Sequence, residues 1–141
     1  MKKKTKILVV FSRYNAPLSL VKSACQELDK NKVLYDTLGC EGAFEIPVTI
    51  ARYIKRYDAF IAIGIIIKGE TPNFNLISQA ITNGIMNLSI LHKKPIGNAI
   101  LTCLTSAQVK KRVHKGKEAV EAVLDVLDPN DNYGVIDFDK P

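Results

Sequence analysis

The chain has 141 residues, 47% apolar and 24% charged, a soluble globular balance with room for one domain around a real core. No apolar run approaches the roughly 18 residues that cross a bilayer. The net charge of +6 raises the question of nucleic acid, but Lys2, Lys3, Lys4 and Lys6 crowd the first residues as a solvated tail. No RNA- or DNA-binding signature accompanies them, and no nucleic-acid or membrane partner is expected.

The opening "MKKKTKILVVFS" is basic, then apolar. Its apolar part is short and lacks a small-residue cleavage site, so 6–12 reads as a first strand and a cytoplasmic protein is expected. Over 17–31, Leu20, Val21, Ala24, Cys25 and Leu28 share one face of a helix, which assigns Cys25 to the core. A second strand covers 32–38 and ends at Gly39. "GAFEIP" (42–47) opens a second helix, with Pro47 in the first turn and Ile46, Ile50, Ile54 and Tyr57 as its buried face. "DAFIAIGIII" (58–67) is apolar throughout, as in the centre of a parallel sheet.

A third helix follows at about 75–91, striped by Ile77, Ile81, Ile85 and Leu88. Residues 94–102 form a fourth strand, and a short helix lies near 105–112. The last helix gathers Ala119, Val120, Val123, Val126 and Leu127 on one side, and Pro129 stops it. Residues 129–141 read as an exposed or partner-packed tail. Strands alternating with helices predict an α/β fold, a doubly wound four-stranded parallel sheet with helices on both faces.

The strand ends "SRYN", "CEGAFE", "KGETPNFN" and "TCLTS" then share one edge, where open α/β sheets bind ligands. Tyr14 offers a ring for stacking, or is a partly buried surface tyrosine. In "GAFEIP", Glu45 either caps its own helix start or accepts hydrogen bonds from ligand hydroxyls. In "KGETPNFN", Gly69 lets the amides of Glu70 and Thr71 turn toward an anion, while Thr71 and Pro72 also read as a helix cap and first residue. In "KKRVHKGK", Arg112 presents a planar fork suited to phosphate and Lys115 adds charge, against a plain solvated basic face. Three cysteines without a CxxC pair (Cys25, Cys40, Cys103) and two histidines (His92, His114) point to no metal site.

In order and spacing these blocks resemble the 6,7-dimethyl-8-ribityllumazine synthase family over residues 6–127, most specifically in "GAFEIP", with "SRYN", "AIGIIIKGET" and "ILT" beside it. The resemblance implies a flavodoxin-like three-layer sandwich and assembly into pentamers or their multiples, with active sites between subunits. It also implies condensation of 5-amino-6-(D-ribitylamino)uracil with 3,4-dihydroxy-2-butanone 4-phosphate, without metal or cofactor. By this resemblance Tyr14 stacks on the pyrimidine, Ala43, Phe44 and Glu45 hold it, and Ile65, Ile66 and Ile67 meet its ring edge. Glu70 and Thr71 bind the phosphate through their amides, and Arg112 of an adjacent subunit pairs with it.

Three positions depart from the family pattern. Asn73 stands where the family places its proton-donating histidine, Asn75 where an acidic residue is usual, and Asn98 where an aromatic commonly follows strand 4. The loop after Arg112 is also shortened to "VHKGK". A slowed or rerouted synthase is therefore expected; His114 reads first as a surface histidine in a basic stretch, and otherwise as a stand-in proton carrier. The rivals are a weak or inactive homologue that binds lumazine or flavin, and a flavodoxin-like electron carrier, which would need a Ser/Thr-rich phosphate loop after strand 1.

Overall fold

The structure, a computed structural model, describes residues 4–15, 18–70 and 72–129. Four strands form one parallel sheet: β1 (Lys6–Ser12), β2 (Leu34–Cys40), β3 (Ala59–Ile67) and β4 (Ile96–Cys103), in the order β2-β1-β3-β4. Between them run α1 (Leu18–Lys30), α2 (Ile46–Tyr53) and α3 (Phe74–His92); the one-turn α4 (Ala107–Lys110) and α5 (Lys115–Leu127) follow β4. The predicted fold is observed.

The layers follow from the period of two along a strand. On one face Ile7 and Val9 of β1 and Ala59, Ile61 and Ile63 of β3 pack against Leu20, Ala24 and Leu28 of α1 and Ala119, Val120 and Val123 of α5. On the other, Leu8, Val10, Phe60 and Ala62 pack against Ile46 and Ile50 of α2 and Ile81 and Ile85 of α3. All nine residues of β3 are buried. Close packing also needs small residues: a Cβ on Gly97 would stand 2.6 Å from the Ala119 carbonyl oxygen, so α5 sits on β4 only because position 97 has no side chain.

The edge opposite the strand ends is pinned by charge. Tyr57 donates to Asp36 Oδ2 at 2.6 Å, and Lys6 Nζ lies 3.2 Å from the same oxygen. These two partners, the tyrosine hydroxyl first, hold the Asp36 carboxyl below its ordinary range.

Several local expectations shift. β2 starts at Leu34, because Lys32 has φ 56° and turns the chain first. Cys25 is half-buried, not in the core. Val126 is 65% exposed and borders a groove with Ile96, Gly97 and Asn98 of β4. The tail beyond 129 lies outside the described residues.

Gly97→Ala is expected to cost about 1–3 kcal/mol by overpacking, while Gly69→Ala, with nothing near the new Cβ, stays within about 0.5 kcal/mol; urea denaturation compares them. A depressed folded pKa makes the Asp36 contribution complete above its ordinary value of 3.8 and lost as pH falls through the folded value below it. Acid titration of stability is expected to be shallower in that window for Asp36→Asn than for the wild type.

Candidate active site at the strand ends

Backbone pairing continues past the strands and sets the site's frame. The Arg13 amide donates to the Cys40 carbonyl at 2.8 Å and the Tyr14 amide to the Glu41 carbonyl at 3.0 Å. "SRYN" is thereby held alongside the turn into α2. On the other side the Lys68 amide donates to the Cys103 carbonyl at 2.9 Å, and Arg112 Nη1 donates to the Thr102 carbonyl at 3.2 Å. The rim thus has two built ends, one over β1 and β2 and one over β3 and β4.

The first end holds Tyr14, Ala43, Phe44 and Glu45. Ala43–Glu45 form a single 3-10 turn that leads directly into α2 with Pro47 in its first turn. The Gly42 amide donates to Glu45 Oε1 at 3.0 Å, so Glu45 does cap its helix start. Its Oε2 has no hydrogen bond among the described residues and is open to a ligand hydroxyl. Tyr14 and Phe44 are 59% and 63% exposed, two large rings with an apolar contact still to make. Phe44 and Glu45 border a pocket of about 330 Å³ with Pro47, Val48, Ala80 and Ile81.

Gly64 in the middle of β3 lets this turn approach the sheet: a Cβ there would meet Ile46 Cδ1 and Ser12 Oγ at 3.2 Å and Ala43 Cβ at 3.3 Å. Cys40, buried beside the turn, donates weakly from Sγ to the Gly42 carbonyl at 3.4 Å. Burial first, and the Glu45 charge second, push its thiol up and keep it protonated. It is a structural sulfur, not a nucleophile.

The second end holds Ile65, Ile66, Ile67, Glu70, Asn73 and Arg112. The three isoleucines are buried, so what they present to a ligand is backbone. The Glu70 amide closes a turn onto the Ile67 carbonyl at 3.1 Å. It is already bonded, which argues against its serving as an anion donor in this conformation. Thr71 lies outside the described residues. Pro72 is not the first helical residue: α3 starts at Phe74, with Asn73 as its N-cap in the left-handed region at φ 56°, ψ 39°. Asparagine tolerates this region better than most residues. A sequence pattern shows the cap-forming residue type here but not the φ that chooses between Thr71 and Asn73.

Asn73, Phe74, Asn75 and Leu76 border a pocket of about 360 Å³ together with Lys68. The unbonded amides of the first turn of α3 open near this wall.

Three expected residues lie elsewhere. Asn98 does not follow the fourth strand; it is the third residue of β4, paired with Ala62, and its Oδ1 accepts from the Ile100 amide at 3.0 Å. Lys115 Nζ is 3.0 Å and His114 Nε2 3.8 Å from the Glu118 carboxylate at the start of α5. The hydrogen bond from Lys115, foremost, holds Glu118 below its ordinary range. Within one chain, His114 and Lys115 face Glu118 and are not brought onto Asn73. Among the described residues no cluster of His, Cys, Asp and Glu is placed to hold a metal ion.

Asn73→Ala is expected to cost about 1 kcal/mol, the penalty of a β-carbon in the left-handed region without asparagine's local bonding. Asn73→Gly is expected to match or exceed the wild type in the same urea titration.

The model of the 6,7-dimethyl-8-ribityllumazine synthase family matches residues 4–130, which takes in both ends of the rim. A 6,7-dimethyl-8-ribityllumazine synthase of Bartonella tribocorum is 33% identical, with 95% of each chain covered. One of Nitrobacter hamburgensis is 34% identical over 85% of this chain and 82% of its own. One of Paenarthrobacter aurescens reaches 40% over 59% of this chain and 56% of its own. With the "GAFEIP" turn seated on Gly64 and the sheet edge intact beside it, the chain belongs to the 6,7-dimethyl-8-ribityllumazine synthase family.

Proposed function

We propose that this chain is a 6,7-dimethyl-8-ribityllumazine synthase, a transferase of riboflavin biosynthesis. The observation that carries the reading is the family match over residues 4–130, within which every strand end of the rim falls. The pyrimidine, 5-amino-6-(D-ribitylamino)uracil, belongs to the end built by Tyr14 and "GAFEIP". There the exposed rings of Tyr14 and Phe44 cover its faces, Ala43 lies against it, and Glu45 Oε2 accepts from ribityl hydroxyls. Ile65, Ile66 and Ile67 offer backbone groups to the ring edge. The butanone phosphate belongs to the end over β3 and β4, against the start of α3, with Glu70 and Thr71 in the approach loop.

Arg112 keeps donor capacity beyond the bonds its Nη1 makes to the Thr102 carbonyl and, weakly, to the Cys103 sulfur, enough to pair with a phosphate held by a neighbouring copy. Sites shared between copies explain the large exposed side chains around the rim, Phe44, Val48 and Leu76 among them. We therefore also propose self-association into pentamers or multiples of them, with Asn98 serving a neighbour's site rather than its own. A cytoplasmic location accords with this reading, and no helix among the described residues is long and apolar enough to cross a membrane.

Positioning supplies most of the rate. Alignment of two reactants is worth up to about 7–11 kcal/mol, whereas general acid–base help contributes about 10²–10⁴-fold. An asparagine at position 73 therefore slows the reaction without abolishing it. Histidine is also tolerated in the left-handed region, so Asn73→His is compatible with the backbone. Purified wild type is expected to form lumazine in a steady-state absorbance assay, and Asn73→His to form it faster. Absence of product from both proteins would overturn the proposal.

A further inference from the structure

We propose that Lys68 is a catalytic residue of this synthase, its ammonium delivering a proton to the departing phosphate. The inference rests on the synthase reading and assigns the proton step within it. Asn73 borders the second pocket, but an amide has no proton to give at neutral pH. Lys68 borders the same pocket. Its backbone is fixed at both ends: the Lys68 amide is tied to Cys103, and the chain folds back where the Glu70 amide meets Ile67.

Its side chain, by contrast, is uncommitted. Arg13 lies 3.7 Å from Glu41, Lys115 3.0 Å from Glu118, and Arg112 donates to Thr102 at 3.2 Å. Lys68 has neither a carboxylate nor a carbonyl partner for its ammonium among the described residues. An exposed cation left unpaired at the border of a pocket is available to an anion that enters it.

The chemistry balances. The amine of the pyrimidine and the ketone of the butanone phosphate give an imine and water. Elimination then removes a proton from the carbon beside the imine and breaks the bond from the next carbon to the phosphate oxygen, which leaves with the electron pair. That oxygen must take up one proton to depart as hydrogen phosphate. Lys68 gives it, and the neutral amine so formed takes the proton released by carbon. The residue ends the step as it began, and nothing is oxidised or reduced by the protein.

The test is steady-state and single-turnover lumazine formation by wild type, Lys68→Gln, Lys68→Arg and the double variant Lys68→Gln with Asn73→His. Lys68→Gln is expected to lose about 10²-fold or more in kcat, with KM for the pyrimidine unchanged. Lys68→Arg is expected to stay impaired, because a guanidinium keeps its charge but does not give up its proton. The double variant is expected to regain at least about tenfold over Lys68→Gln, the imidazole supplying the proton.

A Lys68→Gln kcat within about threefold of wild type overturns the inference while leaving the synthase reading in place. Full activity in Lys68→Arg, or no recovery in the double variant, also overturns it, since either reduces the residue to a fixed charge. No product from wild type or from Asn73→His overturns the synthase reading, and this inference with it.

Discussion

The fold hangs on one constraint: β3 has no face that water can see. Its nine residues are buried, with alternate side chains entering two separate cores. A parallel strand so placed needs a neighbour on each edge and a helix layer above and below. The order β2-β1-β3-β4 and the pairing of α1 with α5 and of α2 with α3 supply both. Polarity is thereby expelled to the strand's ends, and the first polar side chain after the apolar run is Lys68 at the rim.

Within that frame, local chemistry divides the rim. Gly64 lets the Ala43–Glu45 turn rest against the sheet, so aromatic surface and one carboxylate gather over β1 and β2. Cations gather over β3 and β4, where Lys68 and Arg112 are each tied to the last residues of β4. The two ends of the rim are thus sorted by surface, aromatic and acidic at one and cationic at the other. Side-chain reach explains the sorting: the guanidinium of Arg112 spans from the loop before α5 to Thr102, whereas Lys115 is stopped by Glu118 within its own helix.

The strands, the helices and the two ends of the rim were legible because burial writes itself as period two or 3.6, and β3 and α2 carry those patterns with little interruption. The family was legible because "GAFEIP" is contiguous. What escaped were features set by backbone angle or by the edge of a layer. Lys32 and Asn73 take positive φ, which no side-chain pattern announces, so β2 was started early and α3 given the wrong cap. Val126 falls on the helical stripe yet is left exposed in a groove beside the edge strand. Asn98 was placed past its strand by the family pattern alone; the predicted strand 94–102 already contained it, and it is the third residue of β4. The pocket shared by Lys68 and Asn73 depends on the loop's return path, which residue types alone do not encode.

Asn98 also shows how the sheet ends quietly. β4 is the last strand, and an edge strand offers its unpaired amides to any extended chain that drifts past. The carboxamide of Asn98 occupies the Ile100 amide from within the strand, removing one rung from the ladder a stranger would climb. In a protein so rich in isoleucine, an edge with one rung fewer is a poorer template for a passing strand.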